Sequence, residues 1–195
     1  MSYTKDDINR MNQYRYYLSD RYKYLIISSD RKTSKTDFLI DYTIQFSDTK
    51  PNSKILFLVE YERDTHRILE RFIKNTKINN NIISHYVKFG KIPNSIQLIN
   101  GTTIMVSANI PRGHNFDMIL IDDAHEFFNG VKIKNDFNAM YNYITNKIIM
   151  SVENNYSLKY IPDEFNFFTV DKNSSISGLR NIKINKIKKN IKLTI

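Results

Sequence analysis

Cysteine is absent from the chain, which excludes a disulfide framework and a cysteine-based zinc site. No apolar run approaches the roughly 20 residues that a membrane-spanning helix needs, and the N-terminal MSYTKDDINRMNQ has no signal-peptide apolar core. The four histidines, His66, His85, His114 and His125, show no metal-ligand spacing, and His125 reads as a packing or capping residue. No Ser/His/Asp or Cys/His nucleophile pattern can be drawn. Internal repeats and Gly/Ser-rich linkers are missing too. Glycine is scarce, at five residues, and its scarcity matters in one loop below. These absences predict a soluble chain inside a cell, or one carried in a particle.

What is present suits one domain with a small appendage. The chain has 195 residues, 41% of them hydrophobic, enough for a core. The formal charge of +9 favours a polyanionic partner, although a chain so rich in Asn, Ile and Lys also fits an AT-rich genome. The charge is uneven. Arg180, Lys183, Lys186, Lys188, Lys189 and Lys192 lie in a tail with no acid, so the basic character is largely a property of the tail, the candidate nucleic-acid-binding segment. A change of character near Asn154 is the one boundary candidate. We therefore expect a main domain over residues 1–152 and a C-terminal extension over 153–195.

The densest pattern runs from Ser95 to Phe127. Asn100-Gly101 between two short β-type runs is a hairpin signal, because both residues accept positive φ. Pro111-Arg112-Gly113 follows as a loop. Met118-Ile119-Leu120-Ile121 then reads as a buried strand that delivers Asp122 and Asp123 to the end of a sheet, where α/β proteins place their chemistry. The same two acids also suit the first turn of a helix, and these residues alone do not choose.

In chain order, Asp6–Asp20 reads as a helix bearing Tyr14, Tyr16 and Tyr17, aromatics that suit either packing or stacking on an adenine. Tyr24–Ile27 is a short buried strand, and Asp37–Phe46 an amphipathic helix. Lys54–Glu60 is a strand. Arg63–Lys74 is a helix with Ile68, Leu69, Phe72 and Ile73 on one face. Ile82–Phe89 fits strand or helix. Asn135–Ile144 is a helix, Lys147–Val152 a buried strand ending at Ser151, and Phe165–Val170 a further strand. Strands alternating with helices predict an α/β fold with a mostly parallel sheet and helices on both faces.

Between the first strand and its helix lies Ser28-Ser29-Asp30-Arg31-Lys32-Thr33-Ser34-Lys35-Thr36. Strand, polar loop, Lys-Thr, helix is the context of a phosphate-binding loop, in which backbone N–H groups and a helix N-terminus face the phosphates. The usual pattern has two glycines, and here Ser29 and Ser34 replace them. A plain strand–turn–helix satisfies the same residues.

Taken together, Tyr24 to Val152 resembles the ATPase domain of viral and phage terminase large subunits, the DNA-packaging motors. Asp30 to Thr36 keeps an Arg four residues before the Lys, as the S-R-Q-x-G-K-T loop of the family does. Asn100-Gly101, Arg112-Gly113 and Ile119-Leu120-Ile121-Asp122-Asp123 follow the family's order of hairpin, Arg-Gly and acid strand. The resemblance implies a P-loop NTPase-like sheet flanked by helices, with ATP and Mg²⁺ as cofactors. Residues 29 to 36 (Ser29, Asp30, Arg31, Lys32, Thr33, Ser34, Lys35 and Thr36) would bind nucleotide. Thr36 and Asp122 would hold Mg²⁺, and Asp123, one methylene shorter than the family's Glu, would position water. Arg31 would be an arginine finger supplied in cis, Ser151 a residue coupling hydrolysis to movement. A solvated basic turn is the alternative for Arg31 and Lys32.

The implied partners are double-stranded DNA and further copies of the chain or other packaging subunits, with no membrane. The implied location is the cytoplasm of a host cell or the virion. The residues after Val152 are too few for the family's nuclease domain, so the expectation is an ATPase-like unit without it. A non-hydrolysing relic that binds nucleic acid or a partner, and a helicase-like ATPase, are the alternatives.

Overall fold

A computed structural model of the chain describes residues 2–75, 81–86, 94–111, 113–125, 144–154 and 164–174. The expected helix over 135–144, Arg112 and the basic tail lie outside the described residues, except that Ile144 opens a strand.

Three helices lie whole within the described residues, α1 (Lys5–Arg21), α2 (Lys35–Thr49) and α3 (Glu62–Lys74), and Ala124 and His125 are helical as well. The strands are β1 (Tyr24–Ser29), β2 (Lys54–Leu58), β3 (Ile82–Tyr86), β4 (Asn94–Leu98), β5 (Thr103–Ser107), β6 (Phe116–Ile121), β7 (Ile144–Glu153) and β8 (Asn166–Thr169). They form one sheet in the order β3-β4-β5-β2-β6-β7-β1-β8. β4 pairs antiparallel with β3 and β5, and the other pairings are parallel. The fold is therefore a mostly parallel α/β sheet flanked by helices. β8 pairs with β1, so residues on both sides of the boundary expected at 152 share one sheet. Ile82–Tyr86 is settled as a strand by its partner β4, since an isolated short apolar run carries no period that tells strand from helix. No described helix is long and apolar enough to cross a membrane.

Strand alternation divides the core. Leu25 and Ile27 of β1, Ile55 and Phe57 of β2, and Met118 and Leu120 of β6 face a cluster that also holds the buried faces of α1, α2 and α3. Ile26, Leu56, Leu58, Ile119, Ile121, Ile148, Met150 and Val152 build a second cluster on the opposite face. Continuous apolar runs such as Met118–Ile121 arise because a central parallel strand is buried on both faces. α3 contributes Ile68, Leu69 and Phe72, with Phe72 edge-on to Phe57 at 5.6 Å between ring centroids. α1 starts at a capping box in which Thr4 Oγ1 accepts the Asp7 N–H and Asp7 Oδ2 accepts the Thr4 N–H. Tyr14 is buried, and Tyr16 and Tyr17 pack against the same cluster. The helix aromatics are thus packing residues, Tyr16 lying edge-on to Phe38 at 5.1 Å.

The Asn100-Gly101 turn joins β4 to β5. Gly101 has φ +81°, Asn100 Nδ2 donates to the Ser47 carbonyl at 2.8 Å and Thr102 N–H donates to Asn100 Oδ1 at 3.0 Å. The hairpin is thereby tied to the end of α2. A Cβ on Gly101 would overlap Asn52 Oδ1, whereas Gly113, at φ +77°, has open space around the same position. Gly101→Ala is expected to lower unfolding stability in urea by about 1–3 kcal/mol, through torsion and overlap together. Gly113→Ala, with torsion alone, should cost about 1 kcal/mol.

Candidate functional site

β1, β6 and β7 run parallel, so their carboxyl ends share one edge of the sheet. β7 lies between the other two, pairing Ile27 with Ser151 and Ile121 with Met150. That register sets the loop after β1, the acids after β6 and Ser151 side by side.

The loop from Asp30 to Ser34 turns the chain from β1 into α2. Lys32 and Ser34 both adopt left-handed torsions, with φ of 58° and 55°. Ser34 is the N-cap of α2 and makes no side-chain cap hydrogen bond. A left-handed residue with a Cβ costs about 1–2 kcal/mol, so the loop keeps the backbone course of a glycine without the glycine. Its side chains hold it together. Thr33 Oγ1 donates to the Asp30 carbonyl at 2.8 Å, which leaves Ser29 Oγ to donate to Thr33 Oγ1 at 3.0 Å. Arg15 reaches both hydroxyls from α1, at 2.8 Å to Ser29 Oγ and 3.0 Å to Thr33 Oγ1. Asp30 accepts from Asn154 Nδ2 at 2.8 Å and from the Tyr3 hydroxyl. Those two bonds, Tyr3's first, hold its carboxyl below the usual range, and the Tyr3 hydroxyl is pushed up to about 12.

Lys35 opens α2 and is buried, at 8% exposure. Its Nζ donates to the carbonyls of Ser29 at 3.1 Å and Asp30 at 3.0 Å. Burial lowers its pKa, with Asp123 and Glu153 opposing the shift. Thr36, the next residue, donates from Oγ1 to Asp122 Oδ2 at 2.7 Å.

Asp122 is 6% exposed. It stands at the end of β6, where its N–H donates to the Leu58 carbonyl at 3.0 Å, and is a strand-end carboxylate. Its second oxygen, Oδ1, accepts from Ser151 Oγ at 2.9 Å, and Ser151 Oγ in turn accepts the Asp123 N–H at 3.1 Å. Burial raises the Asp122 pKa first and the neighbouring Asp123 second, against the opposing bonds from Thr36 and Ser151. Asp123 follows at φ 50°, a torsion Asp tolerates better than most residues.

Arg31 is exposed, and its Nε donates to both Glu153 oxygens, at 2.8 and 2.9 Å. Lys32 is exposed at the loop's tip. The structure thus brings Ser29 to Thr36, Asp122, Asp123 and Ser151 to one edge. The six tail residues fall outside the described part. Sequence reasoning missed Arg15, Glu153, Asn154 and Tyr3. Glu153 was signalled by its place two residues beyond Ser151 on β7. Arg15, within a polar helix, carried no signal.

Among the described residues no group of three or more His, Cys, Asp or Glu could hold a metal ion. Magnesium bound with a polyphosphate does not need one, since one or two protein oxygens and waters complete its shell. Thr36 Oγ1 and Asp122, adjacent hard oxygens at a helix N-terminus beside a buried lysine, fit that donor set.

No protein-family model matches the chain, and no curated protein matches it. Solved structures do. The large terminase of the thermophilic bacteriophage D6E in complex with ATP-γ-S superposes with a TM-score of 0.58 at 11% identity, over 90% of this chain and 46% of that one. The same terminase with ADP gives 0.56 at 10% identity, over 90% and 47%. The large terminase of bacteriophage HK97 gives 0.53 at 12% identity, over 80% and 34%. The P-loop NTPase-like fold is therefore similar to that of the phage large terminases. The chain spans about half the length of the D6E protein or a third of the HK97 one.

The raised Asp122 pKa has a sign. The native state holds this proton more tightly than the unfolded chain, so stability is lost as pH rises through the folded pKa. Asp122→Asn should be more stable than wild type at pH 7, the difference vanishing below about pH 4. Urea midpoints measured across pH check it.

Proposed function

We propose that the chain binds Mg-ATP at the carboxyl edge of its sheet and hydrolyses it as a motor-type ATPase acting on double-stranded DNA. The observation that carries this reading is the Thr36–Asp122–Ser151 network beside the buried Lys35. It joins, at one edge, a cation for phosphates, two oxygens for Mg²⁺ and a residue bonded to both acids. When bound, Mg²⁺ would neutralise charge on the phosphate oxygens.

With nucleotide bound, Lys35 would exchange the Ser29 and Asp30 carbonyls for phosphate oxygens, and Thr36 and Asp122 would hold the metal. Arg31 would exchange Glu153 for the transferring phosphoryl group. Asp123 would orient the attacking water, from a carboxylate one methylene short of a Glu. Ser151, bonded to Asp122 and to the Asp123 backbone, passes the state of the site to β7. The basic residues Arg180, Lys183, Lys186, Lys188, Lys189 and Lys192 contact DNA phosphates, and further copies of the chain or other packaging subunits are the protein partners. The setting is the host cytoplasm or the virion.

A second reading has its own support. Lys35 is satisfied by its own loop, Arg31 by Glu153, and Ser34 is strained. These features suit a non-hydrolysing module that binds nucleic acid or a partner.

ATP binding and turnover with and without DNA separate the two. Lys35→Ala should weaken Mg-ATP binding by at least about tenfold, from loss of a charged hydrogen-bond donor. Ser34→Gly should tighten it by up to about tenfold as the torsional cost is relieved, and Asp123→Glu should raise turnover more than affinity. A Ser34→Gly/Asp123→Glu chain that binds no ATP at millimolar concentration would establish the second reading.

Cutting the chain after Leu179 removes the six basic residues. The slope of log K against log salt for DNA binding should become shallower by up to about 5. An unchanged slope removes the tail from the DNA contact.

A further inference from the structure

Arg15 is fully buried, at 0% exposure, in the middle of a helix that is otherwise largely polar. One terminal nitrogen donates to Asn12 Oδ1 at 2.9 Å and to the Thr33 carbonyl at 2.7 Å. The other donates to Ser29 Oγ and Thr33 Oγ1. The guanidinium carbon lies 5.9 Å from the centroid of the Phe38 ring. Nε is buried and has no partner among the described residues, and none of the described ion pairs includes Arg15. Burial pushes its pKa down to about 10.

A buried charge is normally paired, and among the described residues this one is held by neutral oxygens alone. The same is true of the direct bonds of Lys35, which end on two carbonyls. Two buried cations thus converge on one loop, Lys35 on the carbonyls of Ser29 and Asp30, Arg15 on the hydroxyls of Ser29 and Thr33 and the carbonyl of Thr33. Arg15 disfavours the charge on Lys35. A polyanion at the loop would relieve both.

The contacts also explain a residue. Ser29 stands where a phosphate-binding loop has its first glycine, and its hydroxyl is the acceptor that Arg15 uses. A glycine there would leave one more guanidinium hydrogen unmade.

We propose that Arg15 is a positioning residue for a bound polyphosphate. Through Ser29 and Thr33 it holds the glycine-poor loop in its anion-binding course, and its buried charge joins that of Lys35 in the field the phosphates meet. This rests on the nucleotide-binding reading above.

Arg15→Lys keeps the charge and loses the planar fork that reaches two hydroxyls at once. Ser29→Ala removes one acceptor and leaves Arg15 in place. For both variants and wild type, urea unfolding, amide hydrogen exchange over residues 29–36, and affinities for Mg-ATP and AMP are measured. Arg15→Lys should bind Mg-ATP at least about tenfold more weakly and AMP nearly unchanged, with faster exchange in the loop. Ser29→Ala should show the same pattern at about threefold, and carries the test alone if Arg15→Lys does not fold. Folded variants that bind Mg-ATP as wild type does, or that lose ATP and AMP equally, overturn the role of Arg15 and leave nucleotide binding standing. A wild-type chain that binds no Mg-ATP at millimolar concentration overturns the nucleotide reading, and this inference with it.

Discussion

A carboxylate taken out of water must be hydrogen-bonded or lose its charge, and the candidate site is built around one such group. Asp122 ends β6, and its two oxygens are held by Thr36 from α2 and Ser151 from β7. Three segments far apart in the chain therefore meet at a single side chain. The parallel register of β6, β7 and β1 makes the meeting possible, because it brings their ends to one edge. The bonds from Thr36 and Ser151 favour the ionised carboxylate, but its surroundings outweigh them. Burial and the adjacent Asp123 both oppose its charge, a conflict a divalent cation would resolve.

The loop beside it shows a different balance. It takes left-handed torsions at Lys32 and Ser34 without glycine, and a side-chain network from Arg15, Thr33, Asn154 and Tyr3 surrounds it. Glycine's freedom has been exchanged for fixed hydrogen bonds. Such a loop is expected to be stiffer than a glycine-rich one, since its shape depends on partners in α1 and at the end of β7. Likeness to the D6E and HK97 terminases at 11–12% identity is a likeness of fold, and the site's chemistry rests on the residues themselves.

Much of this architecture was legible in the sequence, for identifiable reasons. Tyr24–Ile27, Met118–Ile121 and Lys147–Val152 are strands buried on both faces, so their continuous apolar runs read directly. Asn100-Gly101 gave the hairpin through the torsion its glycine needs. Lys35, Thr36 and Asp122 could be picked out because strand ends and a helix start placed them, and Ser151 through the resemblance to the terminase family. Ile82–Tyr86 could not be assigned, since a short edge strand is defined by its partner. Asp122 fits both readings that the sequence offered, since it follows the end of β6 and stands just before helical residues at Ala124 and His125. Arg15 was illegible because an arginine in a polar helix ordinarily lies in solvent, and only the tertiary contact turns it inward. The ion pair of Arg31 with Glu153 joins residues 122 positions apart, and nothing local marks it.

The central claim is that Lys35 and the Asp122–Thr36 pair form one pocket for a metal–polyphosphate. A crystal structure of the chain with Mg²⁺ and ATP-γ-S tests it most directly. The account predicts Lys35 Nζ on phosphate oxygens in place of the Ser29 and Asp30 carbonyls, with Thr36 and Asp122 in the shell of the metal. Nucleotide bound elsewhere, with Lys35 still on those two carbonyls, would contradict it.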